Sequence, residues 1–420
     1  MSPSPEKTIA LIATLDTKGP EAGFAKSRIE ASGYRALVLD TGILGREDPE
    51  APEPDVSADE IAREGGEDRA ELASRSAEKE VRDRGVRAMA EGSAKVLRRL
   101  YENGRFRGVL GLGGAQGTEI CTRAMRALPL GVPKVMVSTV ASGKTPFGIY
   151  TGTRDITIIH SVVDILGLNS LTRRILANAA GAVVGMAEAV LEEKESLRPR
   201  VGITIYGQTT PAALAIKSLL EERGYEVFTF HSNGTGGKAM EELAAENFFD
   251  ALLDLTTHEL TDELLGGIHA GDGERLVAGS RTGTPRLVVP GGVDVITLGE
   301  PETVPAAYRD LPSVPHNPHI TLVRVNAEQM SRLGTEMARR LNQSPGPVAV
   351  TIPGGGWSFY NREGLVFYDA EADRAFVEAL KSSLNPNIAF FEFSAHINDP
   401  EFAAEVVSLF ESLFGEEASR

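Results

Sequence analysis

The chain has 420 residues, more than one hydrophobic core usually serves, and its 43 basic and 59 acidic side chains give a net charge of -16. The length predicts two domains, and the charge argues against nucleic acid or an anionic membrane surface as a partner. No apolar run approaches the roughly 20 residues of a membrane helix, and the N-terminus has no signal-peptide core. We therefore expect a cytoplasmic protein.

Strand and helix patterns alternate along the first half of the chain. The first three elements form a β-α-β unit, which predicts a parallel sheet. An acidic stretch with three prolines follows and reads as a surface loop. The predicted elements are strands at 8–15, 34–39, 108–112 and 133–137, helical segments at 21–32, 67–102 and 155–193, and a loop at 46–59.

The second half of the chain looks like a copy of the first. A shift of 191 residues lays Ile9–Gly42 over Arg200–Asn233, with strand, helix and turn in the same places. We predict an α/β fold of two duplicated Rossmann-like parallel-sheet domains, residues 1–195 and 200–420, with a cleft between them. Ligands of such sheets bind beyond the carboxyl ends of the strands.

A glycine-rich turn, Gly111–Thr118, follows the third strand. Gly113, Gly114, Gly117 and Thr118 stand where a strand leads into a helix, so the turn can bring backbone amides close to phosphate oxygens. The spacing departs by one residue from the dinucleotide-binding pattern, so NAD is not indicated. The only cysteine, Cys121, follows on the helix and is predicted to be a buried packing thiol.

Two earlier turns supply further candidates for the same site. Asp16, Thr17 and Lys18 follow the first strand, where amides, a hydroxyl and an ammonium can meet an anion and Asp16 can hold Mg²⁺ or a ribose hydroxyl. Asp40 and Thr41 end the second strand, where an acidic residue can bind ribose. A capping turn with a solvated lysine is the structural alternative for the first of these turns.

The segment after the fourth strand resembles a P-loop but departs from it. Its helix start is interrupted by Pro146, so we reject a Walker motif and keep a polar, cationic loop. Arg154 adds a second cation for phosphate and Asp155 a second candidate Mg²⁺ ligand. The candidate nucleotide ligands of this region are Ser138, Thr139, Ser142, Gly143, Lys144, Thr151, Thr153 and Arg154.

These motifs resemble one family, the ATP-binding domain of the plant tobamovirus-resistance protein and its bacterial relatives. The resemblance covers essentially the whole chain. It implies two Rossmann-like subdomains, ATP bound in the first, and a homodimer. It rests on 13–18, 111–114, 138–140, 151–153 with Asp155, 353–358 and 396–399.

The predicted loops of the second half carry a candidate second site. We expect His231 and His396 to act as acid or base, and Gly354, Gly355 and Gly356 to form an anion-holding turn. His316 and His319 do not have the helical spacing of a zinc motif. The remaining candidates for this site are Thr209, Thr210, Gly291, Gly292 and Ser358.

Three functions stay open at this point. The first is an ATP-binding protein that couples nucleotide, with Mg²⁺, in the first domain to a small acidic metabolite in the second. The second is a nucleotide-regulated binding module without turnover. The third is a glycosyltransferase-like enzyme, which predicts the nucleotide in the second domain instead. The sequence does not decide whether the protein is an enzyme.

Overall fold

The computed structural model describes residues 7–45, 49–142, 148–189 and 198–415. The chain separates into two compact units, residues 1–192 and 193–420. Each unit is built on a parallel sheet with helices packed against it, as predicted. Within the described ranges, no helix combines the length and the apolar character that crossing a bilayer requires.

The first unit contains a five-stranded parallel sheet in the order β2-β1-β3-β4-β5. Its three central strands are fully buried apolar runs, the pattern expected of a parallel sheet covered on both faces. The strands are β1 (Thr8–Ala13), β2 (Arg35–Asp40), β3 (Gly108–Gly113), β4 (Lys134–Ser138) and β5 (Thr157–His160).

Seven helices lie in the described part of the first unit. The first begins earlier than predicted, because a helical turn at Leu15 runs into the main helix across a kink at Lys18, just before Pro20. The helices are α1 (Leu15–Ala31), α2 (Ala58–Glu64), α3 (Arg69–Ser74), α4 (Lys79–Glu102), α5 (Ala115–Arg126), α6 (Gly148–Thr151) and α7 (Ser170–Glu188).

The helical prediction for 155–193 is wrong in its first part. Residues 157–160 form the edge strand β5, which pairs in parallel with β4. The segment Thr157-Ile158-Ile159 is β-branched throughout, and such side chains favour strands because their χ1 freedom is restricted in a helix. The helix itself starts only at Ser170, after a capping box formed by Asn169 and Thr172.

The second unit repeats the strand order of the first and extends it. Its parallel sheet runs β14-β13-β9-β8-β6-β7, so β7-β6-β8-β9 correspond to β2-β1-β3-β4. This agreement supports the internal copy seen in the sequence. The strands are β6 (Arg200–Ile205), β7 (Glu226–His231), β8 (Ala251–Thr256), β9 (Arg286–Gly291), β13 (Val348–Pro353) and β14 (Ala389–Phe393).

A small antiparallel sheet was not predicted and is present only in the second unit among the described residues. Its order is β10-β12-β11, with strands β10 (Val295–Leu298), β11 (Ser313–Asn317) and β12 (Ile320–Arg324). The helices of this unit are α8 (Thr210–Glu222), α9 (Gly236–Ala245), α10 (His258–Leu265), α11 (Ala327–Leu341), α12 (Ala370–Ser383) and α13 (Pro400–Phe414).

Candidate functional site

A cavity of about 670 Å³ opens at the carboxyl edge of the first sheet. It is formed by the loops after β1, β2 and β3, together with α3 and α4. The chain passes from β1 to β2 on one side and then returns past β1 to β3 on the other side. The carboxyl end of β1 is therefore the topological switch point, where α/β sheets bind ligands. Its volume suits a small-molecule ligand.

The glycine-rich turn divides into a packing part and a cavity-lining part. A Cβ on Gly111 would lie 2.8 Å from both Cys121 Cβ and Met136 Sδ, so that glycine permits helix–sheet packing. A Cβ on Gly113 would lie 2.6 Å from Gly117 Cα, where the strand meets the helix. Gly114 and Gly117 line the cavity.

The first turn of α5 faces the same cavity. Ala115, Gln116 and Gly117 are its first three residues, and their amides have no acceptor within the helix. The N-cap residue is Gly114, which has no side chain to cap this end of the helix. The amides and the helix dipole therefore offer a positive wall to an anion.

Cys121 is a buried thiol, as predicted, and its side chain packs between the helix and the sheet. Burial raises the pKa of this thiol to about 12. A thiol that stays protonated is a poor nucleophile.

Asp16, Thr17 and Lys18 line the cavity, as the sequence suggested. Asp16 is held by Leu44, whose amide donates to Asp16 Oδ2 at 3.0 Å. Among the described residues, Lys18 forms no ion pair, so its ammonium has no internal competitor for an anion.

Asp40 is engaged by backbone amides at the start of α1, and its expected contact with ribose stays a prediction. Its Oδ1 accepts from the amide of Leu15 at 3.1 Å and from the amide of Gly42 at 2.8 Å, so it fixes the start of α1. Burial raises the pKa of Asp40, and these amide bonds oppose the rise. Its neighbour Thr41 lines the cavity, and the buried Oγ1 of Thr41 has no hydrogen-bond partner in the described part of the chain.

Arg82 on α4 also lines the cavity, and the sequence did not identify it. The side chain is exposed and, within the described ranges, forms no ion pair. Its position 64 residues after Lys18 is brought close only by packing of α4, so no local pattern could have revealed it. Apolar side chains complete the wall beside it: Ile43, Leu44, Leu72, Val81, Val86 and Ile120.

Thr118 and Ser138 do not reach the cavity, which corrects their expected role. Thr118 Oγ1 and Ser138 Oγ lie 2.7 Å apart and both side chains are buried, so the pair ties α5 to the end of β4. Thr139 donates its amide to Gly113 O at 3.3 Å. Ser142 is exposed outside the cavity lining, and Gly143 and Lys144 lie outside the described residues.

Asp155 lies at the opposite edge of the sheet, so its expected Mg²⁺ role in this site is wrong. Its Oδ1 is 2.8 Å from the buried Nζ of Lys134, the first residue of β4, and its Oδ2 accepts from the amide of Gly131. Burial lowers the pKa of Lys134, and Asp155 opposes that effect. Asp155 is an anchor for the amino end of the strand.

Thr151, Thr153 and Arg154 belong to this same opposite edge, so they do not share the cavity within one chain. A Cβ on Gly152 would lie 3.3 Å from Cδ of Arg126, the last residue of α5. Helix α5 starts at the cavity and is about 18 Å long at 1.5 Å per residue. The far end of the helix and the segment beside it are therefore remote from the glycine-rich turn.

In the second unit, the threonines and glycines of the expected second site hold the loops to one another. Thr209 Oγ1 is 2.7 Å from Thr256 Oγ1, and Thr210 Oγ1 donates to Tyr206 O at 3.0 Å. A Cβ on Gly291 would lie 2.3 Å from Leu255 O, and the amide of Gly292 donates to Trp357 O. These groups are committed to the fold.

The triple glycine has no free amides, which corrects its expected anion-holding role. The amides of Gly354, Gly355 and Gly356 donate to the carbonyl oxygens of Phe393, Ala395 and Pro353, respectively. Close approach explains the glycines instead, because a Cβ on Gly356 would lie 1.7 Å from Asn361 O. The next residue of the expected site, Ser358, donates its hydroxyl to the buried Asp294 at 2.7 Å.

His396 is held in place by hydrogen bonds, and its expected acid–base role stays a prediction. It is 3% exposed. Its Nδ1 accepts from the amide of Asn398 at 3.0 Å, so Nε2 carries the proton and donates to Ser358 O at 3.0 Å. Burial lowers the pKa of His396, which keeps the ring neutral. His231, in contrast, is exposed with its ring centroid 6.0 Å from that of Tyr206, so it stays a candidate.

Two further histidines, His258 and His269, occupy the switch point of the second sheet. The His258 ring stacks on Tyr206 at a centroid distance of 4.3 Å and lies 3.5 Å from Asp262. Burial alone would lower the pKa of His258, but Asp262 outweighs it and raises the pKa. Burial lowers the pKa of His269, and the charges of His258, His231 and His316 lower it further.

A buried ionic network lies beneath this edge of the second sheet. Arg275 donates two hydrogen bonds of 2.6 Å to Asp254 and one of 2.8 Å to Glu259. Arg286 contacts Glu241 at 2.7 and 2.8 Å. All five side chains are at most 2% exposed, so three carboxylates are balanced by two guanidinium groups away from water.

Glu259 has a second function in this network. Its Oε1 accepts from the amides of Gly234 at 2.7 Å and Gly237 at 3.1 Å. These amides belong to the glycine-rich turn that precedes and starts α9. The carboxylate therefore occupies the helix end that would otherwise attract an external anion.

We expect Glu241 to make the second unit sensitive to acid. Burial alone would raise the pKa of Glu241, but Arg286 and Arg275 outweigh it and lower the pKa from 4.5 to about 2. A lowered folded-state pKa contributes stability that is complete above pH 4.5 and is lost as the pH falls towards 2. The loss is about 3 kcal/mol at 1.36 kcal/mol per pKa unit.

Unfolding titrations between these pH values, followed by Trp357 fluorescence, measure this loss. Glu241→Gln should be less stable at neutral pH and show a flatter acid dependence than the wild type. Glu242→Gln, a half-exposed neighbour paired with Lys238, is the matched control and should keep the wild-type slope. An unchanged slope in Glu241→Gln would assign the acid sensitivity to other groups.

An α/β protein of two Rossmann-like units, each with polar side chains at its switch point, is the class that this fold defines. Two family models match the chain: the Uncharacterised protein family (UPF0261) N-terminal domain over residues 7–192, and the corresponding C-terminal domain over residues 198–414. The chain belongs to the UPF0261 family.

Proteins from bacteria and from a plant are similar to this chain in sequence. A UPF0261 protein of Clostridium tetani is 40% identical over 401 residues, covering 94% of this chain and 96% of the relative. One from Mesorhizobium japonicum is 38% identical, covering 96% and 98%. The ToMV resistance protein Tm-1(GCR237) of Solanum lycopersicum is 34% identical over 338 residues, which are 79% of this chain and 45% of the plant protein.

Proposed function

We propose that the first unit binds ATP in the cavity between α5, α4 and the loops after β1 and β2. The observation that carries the proposal is the convergence of two cations, Lys18 and Arg82, with the free amides at the start of α5 on one cavity. Neither cation is engaged by a carboxylate within the described ranges. Unpaired cations beside helix-terminal amides suit a polyphosphate.

Other side chains of the same cavity suit a nucleoside. Ile43, Leu72, Val86 and Ile120 offer apolar surface to a base. The buried Thr41 hydroxyl, which lacks a partner in the described residues, can bond to a polar edge of base or sugar. A ligand with one flat apolar end and one anionic end matches the apolar and the cationic lining of this cavity.

Asp16 supplies the place for Mg²⁺ in this proposal. Its Oδ2 accepts from the amide of Leu44, while a carboxylate has further lone pairs for a metal. Mg²⁺ in nucleotide sites is bound by one or two carboxylates together with phosphate oxygens. Asp16 lies on the same turn as Lys18, so metal and ammonium would meet the same phosphates.

The loops of the second unit are less suited to binding a nucleotide. Its glycine-rich turn is filled by Glu259 and its triple glycine has no free amide, so the observations favour a nucleotide in the first unit over a glycosyltransferase-like arrangement. A small acidic metabolite in the second unit, coupled to ATP in the first, stays part of the proposal. His231 is the more exposed of the two acid–base candidates.

Isothermal titration calorimetry with Mg-ATP tests the nucleotide site. Lys18→Ala and Arg82→Ala should each weaken binding about 10- to 100-fold, because a hydrogen bond to a charged group contributes about 1.5–3 kcal/mol. Lys26→Ala is the matched control: it lies on α1 and pairs with Glu30 outside the cavity lining, so its affinity should equal that of the wild type.

Two further arms of this experiment separate the parts of the ligand. Adenosine should bind more weakly than ATP and lose the dependence on Lys18. Asp16→Asn should weaken binding in the presence of Mg²⁺ more than in its absence. Wild-type affinity in both cation variants would remove the phosphates from this cavity, and absence of ATP binding by the wild type would refute the proposal.

A further inference from the structure

Three metal-ligating side chains converge at the switch point of the second sheet. His258 and Asp262 lie on α10, one turn apart, and His269 returns to them from the following loop. One donor atom from each lies within 4.8 Å of the other two. His258 and Asp262 are fully buried, and His269 is partly exposed.

The hydrogen bonds of His258 prepare one ring nitrogen for a metal. Nδ1 lies 3.2 Å from Gly292 O, and because a carbonyl oxygen only accepts, Nδ1 carries the proton. In a neutral ring the lone pair is then on Nε2, which is 3.5 Å from Asp262 Oδ2 and 2.9 Å from Thr297 Oγ1. A ligating histidine whose other N–H is held by a backbone carbonyl is the usual arrangement in metal sites.

Asp262 is fixed on both of its oxygens. Oδ1 accepts from the amide of Thr297 at 2.9 Å, and Oδ2 accepts from the amide of His269 at 2.9 Å. The second bond also holds the backbone of His269 beside the carboxylate. The carboxylate keeps lone pairs for one further partner.

His269 provides an independent observation that points to a ligand. Its Nδ1 is buried and has no hydrogen-bond partner in the described residues. A buried polar atom without a partner is rare, because it loses its hydration without compensation. Nδ1 belongs to the ring that closes the cluster, and a metal bound through Nδ1 would supply the partner that this atom lacks.

We propose that His258, Asp262 and His269 bind a divalent transition-metal ion. Two imidazoles and one carboxylate suit Zn²⁺, and the same set with open positions also suits Fe²⁺. Three protein ligands leave at least one coordination position for water or substrate, which is typical of catalytic rather than structural sites. His269 is partly exposed, so the cluster is not sealed from solvent on every side.

The surroundings hold this geometry in place. Tyr206 stacks on the His258 ring with an interplanar angle of 12°. Arg275 anchors the chain six residues after His269 to Asp254 and Glu259 in the buried network. The cluster is therefore supported by the sheet and not only by its own loop.

Calorimetric titration of the metal-free full chain with ZnCl₂ tests the site, with metal content after dialysis as a second readout. The wild type should bind one ion per chain. His269→Ala should weaken binding at least about 10-fold, because one of three ligands is removed. His319→Ala, an exposed histidine paired with Glu300, is the control and should bind as the wild type does.

A second variant and a spectroscopic probe guard against misfolding. Asp262→Asn should also weaken binding, and Trp357 fluorescence shows whether the second unit remains folded. Co²⁺ should give visible absorption that His269→Ala lacks. The alternative is a charged His258–Asp262 ion pair alone; no Zn²⁺ binding by the wild type, or undiminished binding by His269→Ala, would overturn the proposal.

The metal titration contains no nucleotide, so its result is independent of the ATP site. Lys18→Ala should bind Zn²⁺ as the wild type does, and His269→Ala should bind Mg-ATP as the wild type does. Failure of one proposal therefore leaves the other standing. A shared loss in both titrations would instead indicate a folding defect.

Discussion

Replacing Arg275 with methionine should lower the free energy of unfolding of the second unit by about 3–5 kcal/mol, because removal of one partner leaves buried charges uncompensated. Arg275 donates to Asp254 and Glu259 and also contacts Glu241 at 3.2 Å. Without it, Arg286 alone faces three buried carboxylates. Methionine keeps much of the side-chain volume, so the loss reports charge and hydrogen bonding rather than a cavity.

Trp357 is a convenient probe for this experiment. It is the only tryptophan of the chain and is 1% exposed in the core of the second unit. Denaturant unfolding followed by its fluorescence compares Arg275→Met with the wild type. Arg281→Met is the control: its ion pair with Glu274 is exposed, so the change should stay below about 0.5 kcal/mol. A similar loss in both variants would contradict the role given to the buried network.

Gly113→Ala should disrupt the first unit and its cavity together. The new Cβ would lie 2.6 Å from Gly117 Cα and 2.9 Å from Thr118 N, which are backbone atoms that cannot rotate away. Overpacking of this kind costs about 1–3 kcal/mol, and displacement of the start of α5 misplaces the amides proposed to hold phosphate. We therefore expect reduced stability and ATP affinity lowered at least about 10-fold.

Gly181→Ala is the matched control for this change. Gly181 lies on the exposed face of α7, where a Cβ would meet nothing within 4 Å, so alanine should stabilise the helix by up to about 1 kcal/mol. Circular dichroism on denaturation measures both variants, and Trp357 fluorescence serves as an internal reference for the second unit. Normal ATP binding by a folded Gly113→Ala chain would contradict the proposal that the amides at the start of α5 hold the phosphates.

The strands were the most predictable part of this fold. Buried parallel strands such as Thr8–Ala13 and Lys134–Ser138 appear in the sequence as short apolar runs between turns, and each was located within two residues. The shift of 191 residues also anticipated the shared strand order. Edge strand β5 was missed because its few apolar residues run directly towards a helical pattern.

The candidate sites were less predictable, because loops that follow one another in sequence do not all reach the same edge. Asp155 was grouped with Lys18 from its place after the fourth strand, but the chain crosses to the amino edge before it. Arg82 was missed for the opposite reason, since a long helix carries it to the cavity. His269 had no local motif, although His258 and Asp262 show the helical spacing of a ligand pair.

The carboxylate of Glu259 occupies the place of an external anion at the start of α9. A carboxylate tethered to the fold competes at a high effective concentration, which a free anion in solution does not match. Its other oxygen is held at 2.8 Å by Arg275, so an incoming phosphate would have to expel a charge into a buried site. The second unit should therefore be indifferent to rising phosphate at this turn.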